Sequence, residues 1–323
     1  MQSPPQYAAF DNGSPPSAWQ ILAASQEASM QIRDRALLLP LLLACAAAPL
    51  VGCTSSTADV PHIDFVSDTY MLQPGEEKYF CYTINLPADR DIAITKLTPT
   101  YGAATHHILV SQAVVPEPTF SECPVLSKQT WAPIYAGGKD SGPLELPPNT
   151  GFVPLTRGQQ VVMQLHLQNA TDSAISAHTA MRIEYTEATP DLVRAGFVGF
   201  DNRSLVIPPH SDAAMNEMNC VMSTTLNVFA ALGHMHKHGV HLDVSRGAVA
   251  GAEMLYQEDW NFDAQPVTPV SFTLNPNDNL FLRCTYRNND DSALAYGESS
   301  NDEMCVLVLY YAPQVDARGC VKK

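Results

Sequence analysis

The sequence predicts an all-β protein, two antiparallel β-sandwich domains behind a leader. Three observations lead there. Short segments rich in β-branched and aromatic residues recur, at 78–84, 161–167, 181–185, 279–286 and 304–311. Turn-forming residues punctuate the chain between them, with 25 Pro and 17 Gly spread along its length. No window of helical length keeps a 3.6-residue apolar period with caps. Many short strands with frequent turns fit sandwiches or jelly rolls. The stretch 186–191 reads as a linker and divides the chain into domains 53–190 and 191–323. No repeat recurs at a fixed period.

Residues 1–52 stand apart. Arg33 and Arg35 precede an apolar run at 36–52, interrupted by Pro40 and Pro49 and ending in small residues. A basic start, a short apolar stretch and a small-residue end make a secretory signal peptide beginning at Met30. The run is near the lower length limit for a membrane-spanning helix, and its prolines argue further against one. Leu50-Val51-Gly52-Cys53 resembles a bacterial lipobox, so Cys53 is expected to carry lipid and become the mature N-terminus. Residues 54–57 then form a tether, and the protein is expected on the bacterial cell envelope, in the periplasm or at the outer membrane. Residues 1–29, rich in Pro, Ser and Gln, are excluded from fold reasoning.

The chain carries 18 Lys and Arg against 33 Asp and Glu, a net charge of −15. That balance excludes a nucleic-acid binder, which needs basic patches to neutralise phosphates. Only Asp11, Glu27 and Asp34 lie upstream of Cys53, so the acidity belongs to the exported part. A hydrophobic share of 46% is enough for a sizeable core. Beyond Cys45 and Cys53, Cys81, Cys123, Cys220, Cys284, Cys305 and Cys320 remain, an even number that points to disulfides in an oxidising compartment. No C-x-x-C pair occurs, which argues against a cysteine zinc site or a thioredoxin motif.

The chain's 10 histidines gather at three places: His106-His107, His166 between Gln164 and Gln168, and His234-Met235-His236 followed by His238. Imidazole is the commonest transition-metal ligand. On a strand, His234 and His236 would share a face. The adjacent pair His106-His107 would face opposite ways, and converges only at a bulge or a strand end. His166 falls on the more polar face of its strand, with Leu165 and Leu167 alternating inward. A lone histidine is more often a hydrogen-bonded structural residue, and His62, His178, His210 and His241 are read that way. His238 shares the face of His234 and His236 and stays ambiguous. Imidazoles suit zinc, copper, iron and nickel, and a thioether would favour Cu(I). With 11 Met in the chain, composition alone does not choose one.

The order of these motifs resembles the copper type II, ascorbate-dependent monooxygenases, the group of dopamine beta-monooxygenase and peptidylglycine alpha-hydroxylating monooxygenase. The matching pieces run from His106-His107, through Trp131-Ala132, Leu146 to Phe152, Gln164-Leu165-His166, His234-Met235-His236 with Gly239, and Cys284-Thr285-Tyr286, to Asp302-Glu303-Met304-Cys305 and Tyr310-Tyr311. They cover most of residues 75–320. The resemblance implies two jelly-roll domains facing each other across a solvent-filled cleft. It implies an electron-transfer copper held by His106, His107 and His166. It implies a second, oxygen-binding copper held by His234, His236 and Met304, which are then the catalytic set. Two coppers per chain, dioxygen, a small organic substrate, and ascorbate or another reductant follow from it. It also places Cys284 and Cys305 on neighbouring strands, where they should pair. Cys220 and Cys320 bracket the second domain and should form its other bridge, which leaves Cys81 with Cys123.

Departures from the family narrow the substrate. Val306 and Val308 are apolar where the peptide-hydroxylating member uses polar groups, which argues against a peptide carboxylate. Lys237 stands where some members continue with histidine. Two functions of different class remain: a monooxygenase hydroxylating a C–H bond, and an envelope lipoprotein that holds or buffers copper without oxygenating anything.

Overall fold

Period-two alternation builds the strands. In Gly196–Asn202, the residues Val198, Phe200 and Asn202 are buried while Phe197, Gly199 and Asp201 on the other face are half-buried. The computed structural model describes residues 59–123, 128–139 and 141–322, which belong to one compact unit, Thr57–Lys323. Cys53 and the leader lie outside the described residues. Every regular element among the described residues is a strand, and none forms a helix long and apolar enough to cross a membrane.

Four larger sheets organise the chain. Up to Glu187, a five-stranded sheet runs in the order Phe120–Glu122, Glu77–Asn85, Gln160–Gln168, Thr105–Ala113, Trp131–Gly138. A four-stranded sheet backs it, in the order His62–Val66, Ala180–Glu187, Ile92–Thr100, Leu144–Glu145. From Gly196 onward, a second five-stranded sheet runs Thr268–Leu274, Leu226–His234, Val306–Tyr311, Gly196–Asn202, Val321–Lys322. Its four-stranded companion runs Ser211–Val221, Asn279–Asn288, Gly239–Arg246, Met254–Asp259. The main pairings in these sheets are antiparallel, with the exception of the terminal strand Val321–Lys322, which runs parallel to Gly196–Asn202.

The two five-stranded sheets meet. Ala230, Leu232, Val308 and Tyr310 of the second half belong to the apolar core built around Ile108, Val110 and Leu165 of the first. The Ala136 N–H donates to Tyr310 Oη at 2.9 Å. The sheets part at a cavity of about 260 Å³ between them.

Disulfides pin the edges. Cys81–Cys123, Cys220–Cys320 and Cys284–Cys305 are all formed, as expected. The first fastens the short edge strand Phe120–Glu122 beside Glu77–Asn85. The strand expected over 304–311 begins only at Val306. Met304 and Cys305 are held instead by side-chain ties: Tyr286 Oη donates to the Met304 carbonyl at 2.6 Å, and Cys305 is bridged.

Candidate metal centre

His106, His107 and His166 come together at the junction of two strands. Along Thr105–Ala113 and Gln160–Gln168, His107 pairs with His166 and Thr105 with Leu167, so His106 is an extra residue. This bulge is what lets adjacent histidines converge. Each of the three offers a ring nitrogen, and these atoms all lie within 4.8 Å of one another. His166 shares its strand face with Gln164 and Gln168, and that polar face is buried, His166 and Gln164 being 0% and 1% exposed. That face is covered by the 298–300 loop and by the Cys81–Cys123 bridge, to which Gln164 bonds.

His234 is the last residue of its strand, and His236 lies beyond the strand end. The expected shared strand face is therefore not what joins them. Their rings still meet, with centroids 5.1 Å apart. His236 is placed by the segment before Met304. Its Nδ1 donates to the Asp302 carbonyl at 3.0 Å, and its backbone N–H donates to Glu303 Oε2 at 2.9 Å. Met304 itself is buried.

The two sets form one cluster, since the rings of His107 and His234 stand edge to face with centroids 5.6 Å apart. The close packing at Tyr310 and Ala136 draws the sheets together and brings the imidazoles with them.

Hydrogen bonds fix which nitrogen is free on His166, His234 and His236. Gln265 Nε2 donates to the Phe262 carbonyl at 3.0 Å, so its Oε1 must accept from His234 Nδ1, 2.9 Å away. His234 Nε2 and His236 Nε2 are thereby left as lone-pair donors. His166 Nε2 donates to Glu77 Oε1 at 2.6 Å, leaving Nδ1, which faces His107 Nδ1 at 3.3 Å. The Nε2 atoms of His106 and His107 are buried without a partner. Two ring nitrogens facing each other, and two more orphaned, make the donor set expected of a metal site.

Electrostatics agree. Burial, reinforced by the neighbouring imidazoles, pushes His106 down to about 2 and His236 down to about 3. Burial takes His234 to about 4 despite the Gln265 bond, and holds His107 well below its ordinary value. Neutral imidazole is the form that ligates a metal. Burial raises the Glu77 carboxyl, but hydrogen bonds from His166, the Ser300 N–H and Ser299 outweigh it and hold the group at about 2.

Sequence reasoning missed the surrounding residues. The Tyr79 ring stacks on His166 at 4.2 Å, and Phe262 lies 4.3 Å from His106. Trp260 Nε1 donates to the His236 carbonyl. Glu77 and Tyr79 stand opposite Gln168 and His166, a register that no local pattern announces. His238 is resolved as structural: its Nδ1 meets Glu303 and its Nε2 meets Asp290, each at 3.2 Å. Exposed His210 and His178 stay outside the cluster, as do His62 and His241, which sit beside Asp64 and Asp259.

Five clustered imidazoles make a donor set that suits zinc, copper, iron or nickel. Residues 195–323 match the family model for the C-terminal domain of the copper type II ascorbate-dependent monooxygenases. The chain is 26% identical over 284 residues to peptidyl-glycine alpha-amidating monooxygenase A of Xenopus laevis, covering 81% of this chain and 29% of that protein. It is 23% identical over 307 residues to DBH-like monooxygenase protein 1 of Homo sapiens, covering 82% of this chain and 49% of that protein. The chain thus spans less than half the length of these two curated relatives. Its second half is similar to the C-terminal domain of the copper type II ascorbate-dependent monooxygenases. Among solved structures, peptide N-glycanase F aligns over 79% of this chain and 99% of its own at a TM-score of 0.39 and 9% identity, which bears on nothing further.

Proposed function

We propose that this chain is a copper-dependent monooxygenase that hydroxylates a C–H bond of a small organic molecule, using dioxygen and an external reductant such as ascorbate. One observation carries the reading: the free ring nitrogens lie in one buried cluster, and two of its members, His107 and His234, line an apolar cavity. A site that only stored metal needs no such chamber.

The chain's residues have distinct tasks in this reading. His106, His107 and His166 hold one copper. His234 and His236, with the Met304 thioether, hold the other. Glu77 orients His166, Gln265 orients His234, and Glu303 fixes the backbone at residues 236 and 238. Copper, when bound, supplies one-electron transfer and dioxygen activation. The substrate C–H becomes C–OH, and the second oxygen atom leaves as water after two electrons from the reductant and two protons. The cavity walls keep bulk water from the reacting carbon.

Metal analysis of the reconstituted protein should give two coppers per chain. Oxygen uptake should depend on reductant and substrate, and mass spectrometry should find a product one oxygen atom heavier. His107→Ala and His166→Ala should each weaken the first set and stop turnover. Copper binding with no substrate-dependent uptake would leave a copper-holding lipoprotein instead. The Leu50-Val51-Gly52-Cys53 motif supports an envelope anchor at Cys53. One acyl chain binds membranes only marginally, so a multiply acylated Cys53 would give stable attachment. Cys53→Ser should then release a folded, soluble protein.

A further inference from the structure

We infer that the cavity between the two central sheets takes a neutral, elongated apolar molecule that ends in a single N–H or O–H donor, received by Asp201. Calling this molecule the substrate rests on the monooxygenase reading above; the binding itself does not.

The floor of the cavity is a sheet face with a readable register. Val306 pairs with His234 on one side and with Asp201 on the other. Val308 likewise pairs with Leu232 and with Gly199. His234 and Asp201 therefore share one cross-strand row with Val306 between them, and Val321 continues the row beyond Asp201. Neighbouring strands lie about 4.8 Å apart, so the Cα atoms of the two residues are separated by about 10 Å. A molecule lying along this row has one end at an imidazole of the metal centre and the other at a carboxylate. Ile108, Pro133 and Ala136 of the first half complete the walls. No charged side chain other than Asp201 and Arg203 lines the cavity.

Gly199 widens the floor midway. A Cβ placed there would meet nothing within 4 Å, so the missing side chain is room rather than a packing requirement.

The far end sets the head group. Asp201 Oδ2 accepts from Arg203 Nε at 2.6 Å, and the guanidinium also lies over the Tyr296 ring at 5.2 Å. Asp201 Oδ1 is buried and has no hydrogen-bond partner. The ion pair is already balanced, so the end of the cavity carries no net charge to attract a cation. An anionic head would bring negative charge against a desolvated, unpaired carboxylate oxygen, an arrangement that costs heavily in a poorly solvated site. An uncharged N–H or O–H donor satisfies Oδ1 and leaves the pair intact. Primary amides, alcohols and phenols have that chemistry.

Calorimetric titration of metal-free and copper-loaded protein with straight-chain primary amides, carboxylates and ammonium ions tests this. Amides should bind at least about tenfold tighter than either ion of equal length, and each added methylene should tighten binding roughly three- to fourfold until the row is spanned. Gly199→Leu should weaken amide binding at least about tenfold with the copper content unchanged. Asp201→Asn should shrink the amide-to-carboxylate ratio. Preference for a carboxylate or an ammonium ion, absence of binding, or indifference to Gly199→Leu would overturn the inference. Tight amide binding without any oxygen uptake would instead sink the monooxygenase reading and leave this inference standing.

Discussion

Met304 is the residue whose role local packing does not explain. It is 1% exposed, yet it belongs to neither of the main apolar clusters. Its backbone is fixed by Tyr286 and by the bridged Cys305 next to it. Met304→Ile keeps apolar volume and should cost less than about 1.5 kcal/mol. If the thioether ligates copper, Cu(I) affinity at the His234–His236 set should nevertheless fall steeply while Cu(II) binding partly survives, because the imidazoles remain. Paired Cu(I) titration and melting curves check this, and unchanged Cu(I) affinity would remove Met304 from the site. Glu77 offers a second test at this scale. It is the acceptor for His166 Nε2, and that bond is what frees Nδ1. Glu77→Gln should lower copper affinity at the first set by roughly 10- to 100-fold. A shift smaller than threefold in competition titrations would mean that the carboxylate does not govern the ring.

At the scale of elements, the ends of strands matter more than their middles. The strand Trp131–Gly138 stops at Gly138 where Gln265 packs, and a Cβ there would lie 2.4 Å from Gln265 Cβ and Cδ. Gln265 is held besides by Ser141 Oγ, which donates to its carbonyl. Gly138→Ala should therefore displace Gln265 from His234, at a stability cost of about 1–3 kcal/mol from overpacking. Copper bound at the His234–His236 set should show altered spectra in this variant, with turnover reduced. Wild-type spectra with full turnover would show that Gln265 yields without releasing His234. A loop of the second half acts on both histidine sets. Its Ser299 and Ser300 grip Glu77, Tyr79 Oη donates to the Glu298 carbonyl, and Asp302 and Glu303 grip His236.

For the whole molecule, a buried cluster of neutral imidazoles makes the metal-free protein sensitive to acid. His106, His234 and His236 titrate at about 2, 4 and 3 in the fold, and His107 is also held low, against about 6.5 for a free imidazole. Below about pH 6.5 the unfolded chain takes protons that the folded chain refuses, so stability falls as pH falls. Glu77, depressed to about 2, acts in the same direction. Asp201, Glu258 and Glu303, raised by burial, act against it but are fewer. The melting temperature of metal-free protein should drop between about pH 6.5 and 4. A flat or rising profile over that window would mean that the cluster opens to water before the chain unfolds.

Much of this was legible in the sequence, and the rest had a physical reason not to be. The β class followed from composition, turn residues and alternation, because strand formation is a local matter of side-chain branching and turn chemistry. The metal-ligand candidates were legible because imidazoles are scarce and grouped, and the His106-His107 pair even required the bulge that the structure contains. The disulfide partners followed from the family resemblance, the bracketing of the second domain and elimination. The burial of His166 was not legible, since the residues that cover its face come from a loop more than 130 positions away. Nor was the contact between His107 and His234, nor the row from His234 through Val306 to Asp201. Those depend on which strands become neighbours and in what register. Pairing energy is shared along whole strands and across two sheets, so it leaves no mark on any one stretch of the chain.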